Sequence, residues 1–421
     1  MKTHILRALS EKSFLNLWIG EIFTQIPINL FNFFLILIVF KLTGSNTAVS
    51  IAVLSFTIPA ILFGSLAGAL VDRWNKKRVL ILTNLLRAIL LIVLAFFLND
   101  LFVIYLLSFA ISILTQFFIP AESPMIPLTV KRDNLLSANA LFGMGIFGSI
   151  LIAYALSGPL IILVGSANTL AILAFMFFVS AIFISVVKVK PEMYKKSVLI
   201  TKKFNLLTDI KSAFVLVSKT KEISHSILLI SACQIIILIL ATIAPGYADQ
   251  VLGIKVEEFS LVFVAPAALG MVFGGIILVN FFHSHAKRNV INTGIFISGI
   301  AMLLLPYGSK VASKDFVQIM NSYLPHVFDI TILHIMSFLA FILGFANSLV
   351  FVPANTLLQE KTTDEFRGKV YGMLNTIIGV FSLVPILIVG GLSDLIGVGN
   401  VVIWIGISII LFALIRLIKK Y

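Results

Sequence analysis

Four polar side chains recur along one stretch of an apolar run: Glu21, Gln25, Asn29 and Asn32, spaced 4, 4 and 3 residues apart. That spacing places them on one face of a helix. A carboxylic acid followed by three carboxamides can hold the polar part of a small molecule and can take up or release a proton, so this stripe is the first candidate for a cavity wall and Glu21 for a proton-coupling group. Glu21 is read as the only acid well inside an apolar run. Arg87, two turns into another run, is its candidate partner, with Asp72 as the competing one; an ion pair that braces the molecule outweighs direct binding of an anion. Single carboxamides occur at Gln116, Gln234, Asn347 and Asn375, and Asn139 opens a further run. Each alone is more often an interhelical hydrogen bond than a ligand contact, and Gln116 and Gln234, farthest from the run ends, have the better claim to a cavity.

These residues need rods to carry them, and composition says what kind. Of 421 residues, 60% are apolar and 12% charged, with a mean hydropathy of +1.11. A soluble domain is excluded, and the chain reads as an all-α polytopic membrane protein. The net charge of +13 does not point to nucleic acid, because the basic residues fall in short intervals between apolar runs instead of on one coherent face. Cys233 is the single cysteine and sits in an apolar run, which rules out an intramolecular disulfide and a thiolate metal site. No GxxxxGK[ST] loop is present, and the runs hold no Ser-His-Asp or paired-carboxylate grouping, so neither ATP-driven work nor hydrolysis is expected. His283 and His285 lack nearby acids and make a poor metal site. No cofactor and no metal are expected.

A bilayer-crossing helix needs about 20 apolar residues. Such runs fall roughly at 14–40, 48–71, 79–98, 101–121, 138–163 and 168–187, then at 224–245, 259–282, 290–306, 331–354, 370–392 and 399–418. These twelve spans give two six-helix bundles, 1–187 and 223–421, joined by a polar linker, 188–222, with nine Lys against three acids. Within the linker, 204–217 reads as an amphipathic helix on the membrane surface. Alternating the spans from an inside N-terminus puts 26 Lys and Arg inside and four outside, which places both termini in the cytoplasm. The first run lacks a cleavage site and is read as an uncleaved span. Pro27, Pro59, Pro245, Pro266 and Pro385 interrupt spans and free backbone carbonyls.

The two halves repeat each other. Phe118-Ile-Pro-Ala-Glu122 matches Phe351-Val-Pro-Ala-Asn355 at an offset of 233, and Gly64-xxx-Gly68 matches Gly270-xxx-Gly274 at an offset of 206. The extra outside segment 307–329 accounts for the difference. Gly64 and Gly68 are expected to admit a close helix contact. Directly after them, Asp72, Arg73, Lys76, Lys77 and Arg78 mark a helix leaving the membrane on its positive side. The inner segments around Lys131-Arg132-Asp133, with Glu122 counted among them, and 360–369 are expected to form ion pairs that close the inner side.

The pattern Gly68, Leu70, Asp72, Arg73, Lys76, Lys77, Leu80 resembles the signature between helices 2 and 3 of major facilitator superfamily transporters, GxLaDRxGRK. Asn75 stands where that pattern has Gly, and Asn tolerates positive φ. Within the superfamily, LWIGEIFTQ at 17–25, KLTGS at 41–45, LLRA at 85–88, IPAESPMIP at 119–127 and LLSANAL at 135–141 resemble the bacterial siderophore exporters and macrolide-type drug efflux proteins. Two departures stand out: Ala153-Tyr154 is aligned with the Gly-Pro usual in span 5, followed by the small pair Ser157-Gly158, and the arginine signature of many proton antiporters in span 4 is absent. The resemblance implies two parallel six-helix repeats around a central cavity. It implies a non-enzymatic secondary transporter, a monomer in the bacterial inner (plasma) membrane, exporting a hydrophobic or amphipathic small molecule in exchange for protons. Gly64, Gly68, Asp72, Arg73, Lys76 and Lys77 then form the inner gate. A lysophospholipid flippase of the same fold, a non-transporting receptor or scaffold, and an uptake carrier are the alternatives.

Overall fold

A computed structural model describes residues 7–189, 220–281, 287–306, 321, 331–362 and 364–418. The proposed linker helix, His283, His285 and most of the outside segment 307–329 lie outside the described residues. Among the described residues twelve long helices follow one another and there is no strand. They are α1 (Lys12–Thr43), α2 (Asn46–Val71), α3 (Lys76–Phe96), α4 (Leu101–Glu122), α5 (Leu135–Val164) and α6 (Ser166–Val186). The second set is α7 (Lys221–Gly246), α8 (Ala265–Phe281), α9 (Lys287–Leu304), α10 (Ile332–Lys361), α11 (Asp364–Ile396) and α12 (Val398–Ile418). Eleven of the described helical segments are long and apolar enough to cross a membrane. The helix not among them is α9, whose first two turns carry Lys287, Arg288, Asn289 and Asn292. Lys287 Nζ there meets Glu360 Oε2 of α10 at 2.6 Å.

The chain forms two compact units, one drawn from Met1–Leu42 and Ile51–Asp209, the other from Thr43–Ser50 and Ile210–Tyr421. In the first, α3 packs along α6 and α4. Phe14, Leu17, Leu80, Phe118, Met125, Phe142 and Ile184 fill one buried cluster of that unit. Trp18 Nε1 donates to the Leu141 carbonyl at 2.8 Å, tying α1 to α5, and Gly145 leaves the room for that ring. In the second unit, α10 packs against α7, α8 and α9, and α12 against α9 and α11. Large apolar side chains face outward in both, as at Leu163 (80% exposed) and Leu395 (82%). Lipid tails are the solvent such faces require, and within each unit the helices are held by close packing and internal hydrogen bonds.

The repeat is visible in the turns. Gly165, between α5 and α6, and Gly397, between α11 and α12, lie 232 positions apart and take φ of +82° and +86°. An L side chain would be strained at either turn.

Close helix contacts do not fall where the first glycine pair suggests. A Cβ on Gly68 would meet nothing within 4 Å, and one on Gly64 only the Gln116 side chain at 3.7 Å. The tight contact belongs to the second pair and to a glycine facing it. A Cβ on Gly270 would overlap the Phe341 carbonyl, one on Gly274 would approach Ser348 Cβ to 2.9 Å, and one on Gly344 would overlap the Ala267 carbonyl. So α8 and α10 touch backbone to backbone, which only glycine permits.

Proline shapes α7 and α8. Pro245 lies two residues before a π-helical stretch, Tyr247–Leu252, and Pro266 follows another, Ser260–Val264. Pro266 has no N–H for the carbonyl of Val262, four residues back; Ser337 Oγ of α10 supplies the donor instead, at 2.7 Å. Pro159 lies inside α5 directly after Gly158. That helix therefore does carry a Gly-Pro, five residues beyond Ala153-Tyr154, and the departure assigned there does not hold.

Candidate functional site

Around Glu21, helices α1, α3, α4 and α6 of the first unit enclose a set of polar groups that almost no solvent reaches: Glu21 is 2% exposed, Glu122 5% and Arg87 0%. Glu122 was expected in an inner loop. Instead α4 continues to Glu122 and only then changes to a 3-10 turn at Ser123–Met125, where Pro124 falls at the start of the turn. Glu21 is thus not the only acid inside a span.

The carboxyls of Glu21 and Glu122 lie near enough to influence each other. Gln25, one turn further along α1, donates Nε2 to Glu21 Oε1 at 2.6 Å, and Asn29 Nδ2 donates to the Gln25 carbonyl at 2.7 Å. Glu122 Oε1 is buried and has no hydrogen-bond donor.

Arg87 forms no salt bridge with any described carboxylate, Asp72 included. The expected bracing ion pair is replaced by a different arrangement. Arg87 NH1 donates to Asn84 Oδ1 at 3.1 Å, and the guanidinium carbon lies 4.8 Å from the Phe118 ring centroid and 5.4 Å from that of Phe177. A cation between two aromatic faces is stabilised by their quadrupoles. Its Nε and NH2 have no acceptor.

Asn84 is itself fixed. Its Nδ2 donates to Thr24 Oγ1 at 2.9 Å and to Ser180 Oγ at 2.8 Å. Thr24 and Ser180 each reach the Gly20 carbonyl, at 3.0 and 2.6 Å. Gly20 is required, because a Cβ there would come within 2.7 Å of Ile184 on α6. A buried network of this kind orients the guanidinium of Arg87. The sequence gives no sign of Thr24, Asn84 or Ser180, which are isolated small polar residues in three different runs. Glu122 carried a sign, since it sits in an apolar context one residue beyond the predicted end of span 4.

The remaining expected residues are more scattered. Asn32 is half-buried on α1, and Gln116, also half-buried, bonds weakly to the Ser112 carbonyl of its own helix at 3.5 Å. In the second unit Gln234 is half-buried, Asn347 has a buried Nδ2 with no acceptor, and Asn375 is exposed. Asn139 bonds only to the Leu135 carbonyl of its own helix.

The turn between α2 and α3 is built differently from the expectation. Asn75 has φ −71° and is the N-cap of α3, its side chain accepting from Arg78 N at 3.1 Å. No positive φ is needed, because the Asn side chain satisfies one of the orphan N–H groups that open a helix. Lys76 is 4% exposed and reaches back to the Asp72 carbonyl at 3.3 Å. Lys77 Nζ donates to the Ser185 carbonyl at the end of α6 at 2.6 Å, a cation on a helix C-terminus. Trp74 stacks on Phe117 at 5.8 Å. Asp72 and Arg73 are exposed.

Two further sites in the second unit were not anticipated. Asp394, near the end of α11, accepts five hydrogen bonds at the start of α2. They come from Ser45 Oγ (2.7 Å), Asn46 N (2.8 Å) and Nδ2 (3.0 Å), and Thr47 N (2.9 Å) and Oγ1 (2.7 Å). The carboxylate caps orphan N–H groups at the positive end of a helix. Arg416, 3% exposed near the end of α12, bonds to Asn292 at 3.0 Å and to His225 at 2.5 Å.

A helical membrane protein built of repeated halves, with buried ionisable groups inside them, has the makings of a transporter. Comparison with known proteins agrees. The sequence profile described as Major Facilitator Superfamily matches residues 17–383. The MFS-type transporter YfiS of Bacillus subtilis is 24% identical over 386 residues, covering 92% of this chain and 88% of that protein. Macrolide efflux protein A of Streptococcus pyogenes is 21% identical over 410 residues, covering 96% and 94%. Among solved structures, the nucleoside transporter NupG superposes with a TM-score of 0.73 at 16% identity, covering 97% of this chain and 99% of that one. The chain belongs to the Major Facilitator Superfamily and is a multi-pass membrane protein of that transporter family.

Proposed function

We propose that this protein exports a hydrophobic or amphipathic small molecule across the bacterial inner membrane by alternating access, in exchange for protons. Both termini lie in the cytoplasm, and the protein works as a monomer of two bundles, 1–187 and 223–421, joined by the linker 188–222. The observation that carries the exchange reading is the buried meeting of Glu21 with a second carboxyl beside Arg87. An acid this far from water is costly unless it can hold a proton or a counter-charge, and such groups in membrane helices mark ion pathways. Efflux is supported by likeness to the macrolide efflux protein along nearly the whole chain. Gln25, Asn29 and Asn32 continue from Glu21 along α1 and are its substrate-facing stripe, with Gln116, Gln234, Asn347 and Asn375 as further contacts. Gly64, Gly68, Asp72, Arg73, Lys76 and Lys77 form the inner gate, with Asp72 as its movable latch and the two lysines holding the turn.

The test is transport by the purified protein in liposomes under an imposed pH gradient, with ethidium, erythromycin and a lysophospholipid offered separately. Gradient-driven movement of the dye or the macrolide, opposite to proton flow, is the expected result. Movement of the lysolipid alone, indifferent to pH, would replace this reading with that of a flippase.

A further inference from the structure

Arg416, near the end of α12, is 3% exposed and is paired with no carboxylate among the described residues. Its Nε donates to Asn292 Oδ1 of α9 at 3.0 Å and its NH1 to His225 Nε2 of α7 at 2.5 Å. A guanidinium has donors only, so the imidazole accepts through Nε2 and is neutral there. Both partners therefore aim the group without offsetting its charge. Phe412, one turn earlier in α12, holds its ring centroid 5.8 Å from the guanidinium carbon. NH2, the remaining nitrogen, has no acceptor among the described residues.

A charge held away from water without a counter-charge is costly. More positive charge gathers at the same end. Arg288 precedes Asn292 by one turn of α9 and shares its face, while Lys287 and Lys221 open α9 and α7. The start of α7 has no side-chain cap, which leaves the positive end of that helix unmet as well. The acids described here do not balance this: Glu360 is matched by Lys287 at 2.6 Å, and Glu222 in the first turn of α7 is exposed and not bonded to Arg416. Apolar side chains surround the polar end. Phe296, one turn beyond Asn292, and Ile415 and Ile418, either side of Arg416, are exposed.

We propose that Arg416 and Arg288, with Asn292 and His225 behind them, bind one phosphate group at the end of the second unit where α7 and α9 begin and α12 ends. Guanidinium forks match phosphate oxygens through paired hydrogen bonds, and Arg416 NH2 is the donor left for one of them. The exposed apolar side chains on α9 and α12 favour the phosphodiester of an anionic membrane lipid over free phosphate as the source, with its acyl chains lying along those two helices. The orientation proposed above puts this end at the inner leaflet. The site itself needs neither that orientation nor transport.

The full-length protein in detergent is offered phosphatidylglycerol, phosphatidylcholine or inorganic phosphate at matched ionic strength. Bound lipid is counted by native mass spectrometry, and the unfolding temperature is followed in parallel, since a ligand of the folded state raises it. The expected result is one phosphatidylglycerol retained in preference to phosphatidylcholine, its apparent affinity lowered about fivefold in Arg288→Gln and in Arg416→Gln. Lys131→Gln, which removes an exposed cation of the first unit, is expected to leave binding unchanged. Arg288 is exposed, so its substitution carries the test if Arg416→Gln does not fold. Stabilisation by inorganic phosphate that the arginine substitutions remove would keep the site and assign it to a soluble phosphate. Equal retention of the two lipids with no response to inorganic phosphate, or phosphatidylglycerol binding that the arginine substitutions do not weaken, overturns it.

Discussion

Asn84 shows how much one uncharged side chain can decide. It sits in α3 one turn before Arg87, takes two hydroxyl partners through its nitrogen and gives its oxygen to the guanidinium. A carboxamide is the group that can do both, since it presents donors and an acceptor on one plane. Replacing it by the similarly sized Leu leaves NH1 of Arg87 without an acceptor in addition to the two nitrogens already unpaired. Asn84→Leu is expected to cost about 1–2 kcal/mol, read as a lower unfolding temperature in detergent, and to weaken proton-driven transport because Arg87 is no longer aimed. Glu21 and Arg87 were legible in the sequence as charges in apolar runs. Asn84, Thr24 and Ser180 were not, because an isolated Asn, Thr or Ser in a membrane span is common and its value lies wholly in what it meets.

For the helices, glycine spacing promises contact but does not say which pair of rods makes it. Gly64-xxx-Gly68 and Gly270-xxx-Gly274 are the same pattern, yet only the second lies against a neighbouring backbone in the structure, with Gly344 of α10 opposite. The difference follows from the partner. α10 presents the backbone of Phe341 and Phe345 and the small Ser348 to α8, and no described group comes that close to Gly68. Gly344→Ala is therefore expected to force α8 and α10 apart at a cost of about 1–3 kcal/mol. Gly68→Ala should leave thermal stability nearly unchanged, and equal losses in the two variants, measured by thermal unfolding at matched expression, would contradict this assignment. The prolines were equally visible in advance, but the rescue of the Val262 carbonyl by Ser337 was not, since it joins residues 75 positions apart. The same applies to Asp394, whose five partners at Ser45, Asn46 and Thr47 lie more than 340 positions away.

Across the whole molecule the proposed cycle needs the inner turn after α2 to open and close. Lys76 and Lys77 are committed to carbonyls at Asp72 and Ser185, so they hold the turn in place. Asp72 is exposed, which leaves its carboxylate available as the part that changes partner. Asp72→Asn is expected to reduce export in cells at least about tenfold, the loss of roughly 1.4 kcal/mol of transition-state stabilisation, with the protein still present in the membrane at its usual level. Undiminished export at normal expression would remove Asp72 from the gate. What the sequence determined alone is the number and order of the rods, their membrane setting and their repetition in two halves. Those follow from run length, from the spacing of basic residues and from an offset of 233, all of them one-dimensional quantities. The tertiary structure alone decided which polar groups share a site, because Glu21, Asn84, Arg87, Glu122 and Ser180 come from four helices and meet only when those helices pack. Burial turns a carboxylate at the end of α4 into the partner of another on α1, and no pattern along the chain records that two acids will face each other where water cannot reach.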